Sequence, residues 1–216
     1  MEERLKIAIP KGYLFNETID VLKRCGYNTD CFNDNDRKLF FYSEKDHFKY
    51  IIVRPMDVPV YVEHGACDIG FVGKDVLLET GCNVFELLNL KNGKCRIIVA
   101  TKDNCIEEVK RRYEHFGVVR VATKYPKIAK KYFEEKGMQV EIIKLYGSVE
   151  LAPILGIADE ILDITATGRT LKENNLIEME HVAYSTTRLI ANEVSYRVKN
   201  NIIEKLINDL RGAINN

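Results

Sequence analysis

Asp163-Ile164-Thr165-Ala166-Thr167-Gly168-Arg169-Thr170-Leu171 joins two patterns of different period. Glu160 to Thr165 is a short, mainly apolar run that reads as a strand. Thr170 to Asn174 starts a helix, and Gly168 between them suits a tight turn. Strand, turn and helix in that order are one step of an α/β fold. The step recurs outward from this segment. Strands are expected at Leu5–Ile9, Leu39–Tyr42, Tyr50–Val53, Asp68–Gly73, Cys95–Thr101, Val118–Thr123, Val140–Lys144 and Ala183–Ala191. Helices are expected at Asn16–Arg24, Val58–Glu63, Lys74–Glu79, Ile106–Phe116, Pro126–Lys136, Val149–Leu155 and Asn200–Ala213. Several of the strands are near-continuous apolar runs, the signature of parallel strands buried on both faces. Mainly parallel sheets are therefore expected. No internal repeat and no polar linker divides the chain, so any split into two lobes must be made by strands crossing between them.

The 216 residues allow one domain or two small ones. Lys plus Arg and Asp plus Glu both number 32, so the formal net charge is zero and the basic excess of a nucleic-acid binder is missing. No apolar run approaches the ~20 residues of a membrane span. The opening Met1-Glu2-Glu3-Arg4, with Pro10 soon after, lacks the pattern of an export signal. Six cysteines form no C-x-x-C pair, and the four histidines do not cluster with them. Zinc and redox motifs are unsupported. Reduced, mostly buried thiols in a cytoplasmic protein are expected.

The 163–171 segment also carries the chemistry. Its turn aims backbone N–H groups, two threonine hydroxyls and a helix start at one point, which makes a phosphate cradle. A helix dipole alone contributes only ~0.3–2 kcal/mol, so the hydroxyls, the N–H groups and Arg169 must add to it. Asp163 is placed to meet a sugar hydroxyl or a magnesium ion. The same residues also fit an ordinary strand–turn–helix with a threonine cap. Gly70-Phe71-Val72-Gly73-Lys74-Asp75 lacks the spacing of a P-loop and has Asp75 where Ser or Thr is needed. No G-x-G-x-x-G follows the first strand.

Lys11, Arg54 and Lys74 each follow a strand, where ligands sit in α/β sheets, and Arg37 precedes one. Each alone also fits a solvated surface charge. The lysines at 127, 130, 131 and 136, mixed with Glu134 and Glu135, read as a solvated helix face. Glu150 at the start of a short helix fits either dipole complementarity or a contact with ribose hydroxyls.

Ile9-Pro10-Lys11-Gly12, Val53 to Pro59, Asp68 to Asp75, Arg120 to Pro126, Glu150-Leu151-Ala152-Pro153 and Asp163 to Leu171 occur in this order. Together they resemble ATP phosphoribosyltransferase, the first enzyme of histidine biosynthesis, in its short form. The likeness spans nearly the whole chain, with one departure: Tyr13 stands where the family usually carries Arg. It implies a two-lobed fold like type II periplasmic binding proteins, with two mainly parallel sheets joined by crossover strands. Lobe I would be 1–91 with 181–216, and lobe II 92–180.

The resemblance further implies transfer of phosphoribose from phosphoribosyl pyrophosphate to N1 of ATP, with Mg2+ arriving on the substrate. Thr165, Ala166, Thr167, Gly168, Arg169, Thr170 and Leu171 would hold the 5′-phosphate. Glu150 and Asp163, with Asp159 as a weaker candidate, would hold the ribose and metal-linked oxygens. Lys11, Gly12, Arg37, Arg54, Gly73, Lys74 and Asp75 would meet ATP phosphates or pyrophosphate. Lys11, Arg54, Glu150 and Asp163 are the expected catalytic residues. Expected partners are a second copy, giving a homodimer, and a regulatory subunit resembling histidyl-tRNA synthetase in a hetero-octamer. The competing possibility is a non-catalytic small-anion binding module of the same fold.

Overall fold

The computed structural model describes residues 4–32 and 38–215. Contacts divide the chain into two compact units, Met1–Gly93 with Thr186–Asn216, and Lys94–Ser185. The first unit opens with β1 (Leu5–Pro10), α1 (Tyr13–Arg24), β2 (Phe40–Ser43), β3 (Phe48–Val53) and α2 (Val58–Glu63). It continues through β4 (Ile69–Gly73), α3 (Lys74–Thr80) and β5 (Phe85–Asn89). The second unit runs β6 (Cys95–Lys102), α4 (Ile106–Phe116), β7 (Val119–Thr123), α5 (Pro126–Glu135) and β8 (Val140–Lys144). It ends with α6 (Leu151–Ile154), β9 (Glu160–Thr165), α7 (Arg169–Glu173) and β10 (Leu176–Ser185). The chain then returns to the first unit as β11 (Thr187–Ala191), α8 (Glu193–Val198) and α9 (Asn200–Asn215).

Alternation along β1 explains the core of the first unit. Ile7 and Ile9 face Val21 and Leu22 of α1 and Ile203, Leu206 and Leu210 of α9. Ala8, on the other side, packs with Val58 and Val62 of α2 and Val76 of α3. Gly70 permits that second layer. A Cβ there would lie 2.8 Å from Val58 Cγ1 and 3.0 Å from Val62 Cγ2. The C-terminal helices are tied down by Asp68. Its carboxylate accepts from Lys6 N and Ser195 Oγ, both at 2.7 Å, and pairs with Lys199 Nζ at 3.0 Å. In the second unit, Ile98, Ala100, Ala122, Ile161, Leu171 and Leu176 form the core beneath α6 and α7.

The sheets correct the expectation of mainly parallel strands. The first runs β2-β3-β1-β4-β11-β5 and the second β10-β6-β9-β7-β8. Only β3-β1-β4 and β9-β7-β8 are parallel, and antiparallel strands flank them. A strand buried between helices reads as an apolar run whichever way its neighbour points. The strand expected over 183–191 is two strands, because the chain passes from one unit to the other at Ser185–Thr186. The passages therefore fall at 93–94 and 185–186, not at 91–92 and 180–181. All six cysteines are free, but only Cys67 is buried; the other five are partly exposed. Arg37 lies outside the described residues.

Candidate functional site

β9, the central strand, carries Asp163 and Thr165 towards its C-terminal end, and the chain then turns through 166–168 into α7. Gly168 takes φ 76°, the left-handed region, at the N-cap of that helix. Gly168 N donates to Thr165 Oγ1 at 2.9 Å, and Arg169 N donates to Thr167 Oγ1 at 3.4 Å. The loop thus holds its own N–H groups with its own hydroxyls. Glu150 is brought to the same place by a turn in which Ser148 has φ 49°, with Leu151 N bonded to Ser148 O at 3.1 Å.

The result is a hollow of about 170 Å³ walled by Glu150, Asp163, residues 164–167 and residues 169–171. Ile164 belongs to this wall and was not among the expected residues; its place in the same run was the available signal. Gly168 shapes the turn without forming the wall. Arg169 is exposed, and its Nε bonds Glu173 Oε1 at 2.7 Å along its own helix.

Asp159 is not brought to this hollow. Arg120 holds it through N (3.0 Å), Nε (3.3 Å) and Nη2 (2.9 Å), and Arg112 Nε lies 3.2 Å from it. Burial pushes its carboxyl up, but bonding by Arg120 and the charge of Arg112 outweigh this and hold it below its ordinary value. It fastens the start of β9 to β7.

Among the described residues no group of three or more His, Cys, Asp or Glu could hold a metal. The hollow offers two carboxylates, Glu150 and Asp163. That donor set fits magnesium, which keeps several waters and takes one or two carboxylates plus substrate phosphates.

In the first unit the order β3-β1-β4 is parallel throughout, so Arg54, Lys11 and Lys74 emerge at one edge of the sheet. Lys11 and Arg54 are exposed. Gly12 caps α1 at φ 84°, and Tyr13, the first residue of that helix, is 63% exposed. Lys74 Nζ bonds Glu86 Oε2 at 2.5 Å, and Glu86 also pairs with Arg188 at 3.3 Å. Gly73 and Asp75 are buried, so their side of the turn is packed.

A family model described as HisG: ATP phosphoribosyltransferase matches residues 54–212. The chain belongs to the ATP phosphoribosyltransferase family. The ATP phosphoribosyltransferase of Halothermothrix orenii is 47% identical over 213 residues, covering 96% of this chain and 93% of that protein. That of Bacillus subtilis is 45% identical over 211 residues, covering 97% and 95%. Among solved structures, a chain of the ATP phosphoribosyl transferase (HisG:HisZ) complex from Thermotoga maritima superposes with TM-score 0.80 at 38% identity, covering 98% of both chains. The alkanesulfonate-binding protein SsuA from Xanthomonas axonopodis pv. citri, bound to MOPS, superposes with TM-score 0.59 at 10% identity, covering 98% of this chain and 73% of that one. That likeness shows a shared fold of the periplasmic-binding-protein kind and nothing about ligands. Family membership therefore favours the transferase over a bare binding module.

Proposed function

We propose that this chain transfers phosphoribose from phosphoribosyl pyrophosphate to N1 of the adenine of ATP, giving phosphoribosyl-ATP and pyrophosphate, the first step of histidine biosynthesis. The observation that carries this is the hollow in which two carboxylates and a self-bonded threonine loop share one wall. A sugar phosphate needs that combination: donors for the phosphate and acceptors for the ribose hydroxyls.

The 165–171 loop would take the 5′-phosphate, exchanging its internal N–H bonds for bonds to phosphate oxygens. Glu150 and Asp163 would hold the ribose hydroxyls and the magnesium that enters with the substrate. Bound magnesium neutralises charge on pyrophosphate oxygens. On the first unit, Lys11, Gly12, Arg54 and the side chain of Lys74 would meet phosphates of ATP or pyrophosphate, with the buried Gly73 and Asp75 supporting the turn.

Adenine N1 has a free lone pair, so attack on the anomeric carbon needs no prior deprotonation. The N1–C1′ bond forms, the C1′–O bond breaks, and its electron pair leaves with pyrophosphate. Catalysis then rests on positioning and on charge stabilisation of the leaving group.

The Thermotoga maritima structure is of a HisG:HisZ complex. We propose that this chain too joins a partner: a homodimer of it would bind a regulatory subunit resembling histidyl-tRNA synthetase, in a hetero-octamer. Six free cysteines support a reducing, cytoplasmic setting.

Pyrophosphate release that requires both substrates and Mg2+ tests the activity, against simple binding of either ligand. Arg54→Ala should lower kcat/KM by about 100- to 1,000-fold, the cost of one preorganised charge contact at a transition state. The exposed position of Arg54 predicts an unchanged melting temperature. Near-normal kcat/KM would remove Arg54 from the site.

A further inference from the structure

The second unit has another hollow, at the opposite end of β9 from the threonine loop. It measures about 110 Å³, and its wall includes Lys102, Cys105, Arg112, Arg120 and Asp159. Topology gathers the charges. Asp159 precedes β9, and Arg120 is the second residue of the parallel neighbour β7. β6 runs antiparallel to β9, so its last residue, Lys102, arrives at the same end.

Three cations thus surround one inward carboxylate, with Glu108 exposed at the rim. The carboxylate does not exhaust them. Arg112 approaches Asp159 with Nε at 3.2 Å, and Arg120 spends Nε and Nη2. The two terminal amino groups of Arg112, Nη1 of Arg120 and Nζ of Lys102 have no hydrogen-bond partner among the described residues. The Arg112 guanidinium is steadied over the Phe116 ring, 5.4 Å from its centroid. The first turn of α4 borders the hollow too, and its N-cap Cys105 makes no side-chain capping bond.

We infer that this hollow is a second anion site that takes a phosphoryl group. Its volume is several times the ~30 Å³ share of one water, enough for a phosphate-sized group. Guanidinium forks and an ammonium approaching from β6, β7 and α4 match tetrahedral phosphoryl oxygens better than a planar carboxylate. The six residues of β9 put about 20 Å between this hollow and the threonine loop, at ~3.3 Å per residue. None of the free donors belongs to the proposed transferase machinery, so the site stands or falls separately from the activity.

The test is a titration of the 15N-labelled full chain with inorganic phosphate, following the Arg112 and Arg120 Nε–H signals, with sodium chloride at matched ionic strength as control. Saturable shifts at both arginines are expected. Arg112→Gln should weaken that binding about tenfold, as expected for loss of a charged donor. Lys102→Gln, whose side chain makes no bond in the fold, should weaken it in the same direction and decides the matter if the arginine variant does not fold. A nucleoside monophosphate in place of phosphate separates the sources: tighter binding assigns the site to a nucleotide, equal or weaker binding to free phosphate. Arginine signals that move no further with phosphate than with chloride would overturn the site. So would Lys102→Gln and Arg112→Gln variants that bind phosphate as the parent does.

Discussion

Two turns in this molecule share a spelling and differ in use. Gly73-Lys74 and Gly168-Arg169 each follow a strand and open a helix with a cation. At the first, glycine is extended (φ −71°, ψ 146°), and Lys74 N donates to Thr186 O at 3.0 Å, beside β11. At the second, glycine is left-handed, and the loop N–H groups go to the loop's own threonines. A carbonyl fixed beside a neighbouring strand cannot release its donor without disturbing the sheet. A hydroxyl rotates and can give its donor up to a ligand. A glycine before a cation therefore says little by itself. The acceptor that holds the backbone N–H decides whether a turn is structure or site.

The largest effect should come from the packed turn's own strand. Gly70→Val places its side chain against Val58 and Val62 of α2, and overpacking of this kind costs about 3 kcal/mol. The urea midpoint should drop sharply. An unchanged midpoint would mean that α2 yields and that the first turn is looser than its bonds imply.

The strand feeding the second turn carries a comparable effect at its far end, with a pH signature. Burial first, then the charges of Glu180 and Asp159, push the Glu160 carboxyl up to about 7, and Lys136 offsets this only in part. The folded state then holds a proton that the unfolded state releases near the ordinary ~4.3. Stability contributed by Glu160 is therefore full below about 4, falls as pH rises towards about 7, and levels off above, by up to about 3 kcal/mol. Glu160→Gln should flatten that slope in urea melts at pH 5 and pH 8. An unchanged slope would place the titration elsewhere.

The two cations themselves should matter least to stability. Lys74→Ala and Arg169→Ala each break a pair with part or most of its side chains in water, worth under about 1 kcal/mol. Thermal melts should shift by a few degrees at most. A large loss at Lys74 would show that its cluster with Glu86 and Arg188 behaves as a buried network, which would widen the contrast between the turns.

Much of this was legible from sequence because it is local. Val58–Glu63, Ile106–Phe116, Val140–Lys144 and Glu160–Thr165 are recovered with the bounds that periodicity gives. Residues 176–182 of β10 escaped notice because register shifts at 178–180 and 181–183 break its alternation. β5 escaped because it is a five-residue outer strand, partly buried at four positions and exposed at Glu86. α8 had a readable signal: Asn192 caps it by accepting from Val194 N and Ser195 N. The threonine loop was legible because its parts are consecutive. Glu150 joins it only through folding; its place at a helix start left two readings open, and the family resemblance favoured the ribose contact. The pairing of Asp159 with Arg112 and Arg120 joins residues 39 or more positions away, and no local pattern announces it.

Equilibrium binding of phosphoribosyl pyrophosphate and of ATP to Gly168→Val and the parent chain tests the distinction most directly. Valine at φ 76° is strained, while the space around a Cβ there is open, so the loop should distort without disturbing the core. The account predicts at least about a hundredfold loss of affinity for phosphoribosyl pyrophosphate, near 2.7 kcal/mol, with ATP binding and melting temperature nearly unchanged. Equal loss of both ligands, or none of either, in a variant with the parent's melting temperature would contradict it.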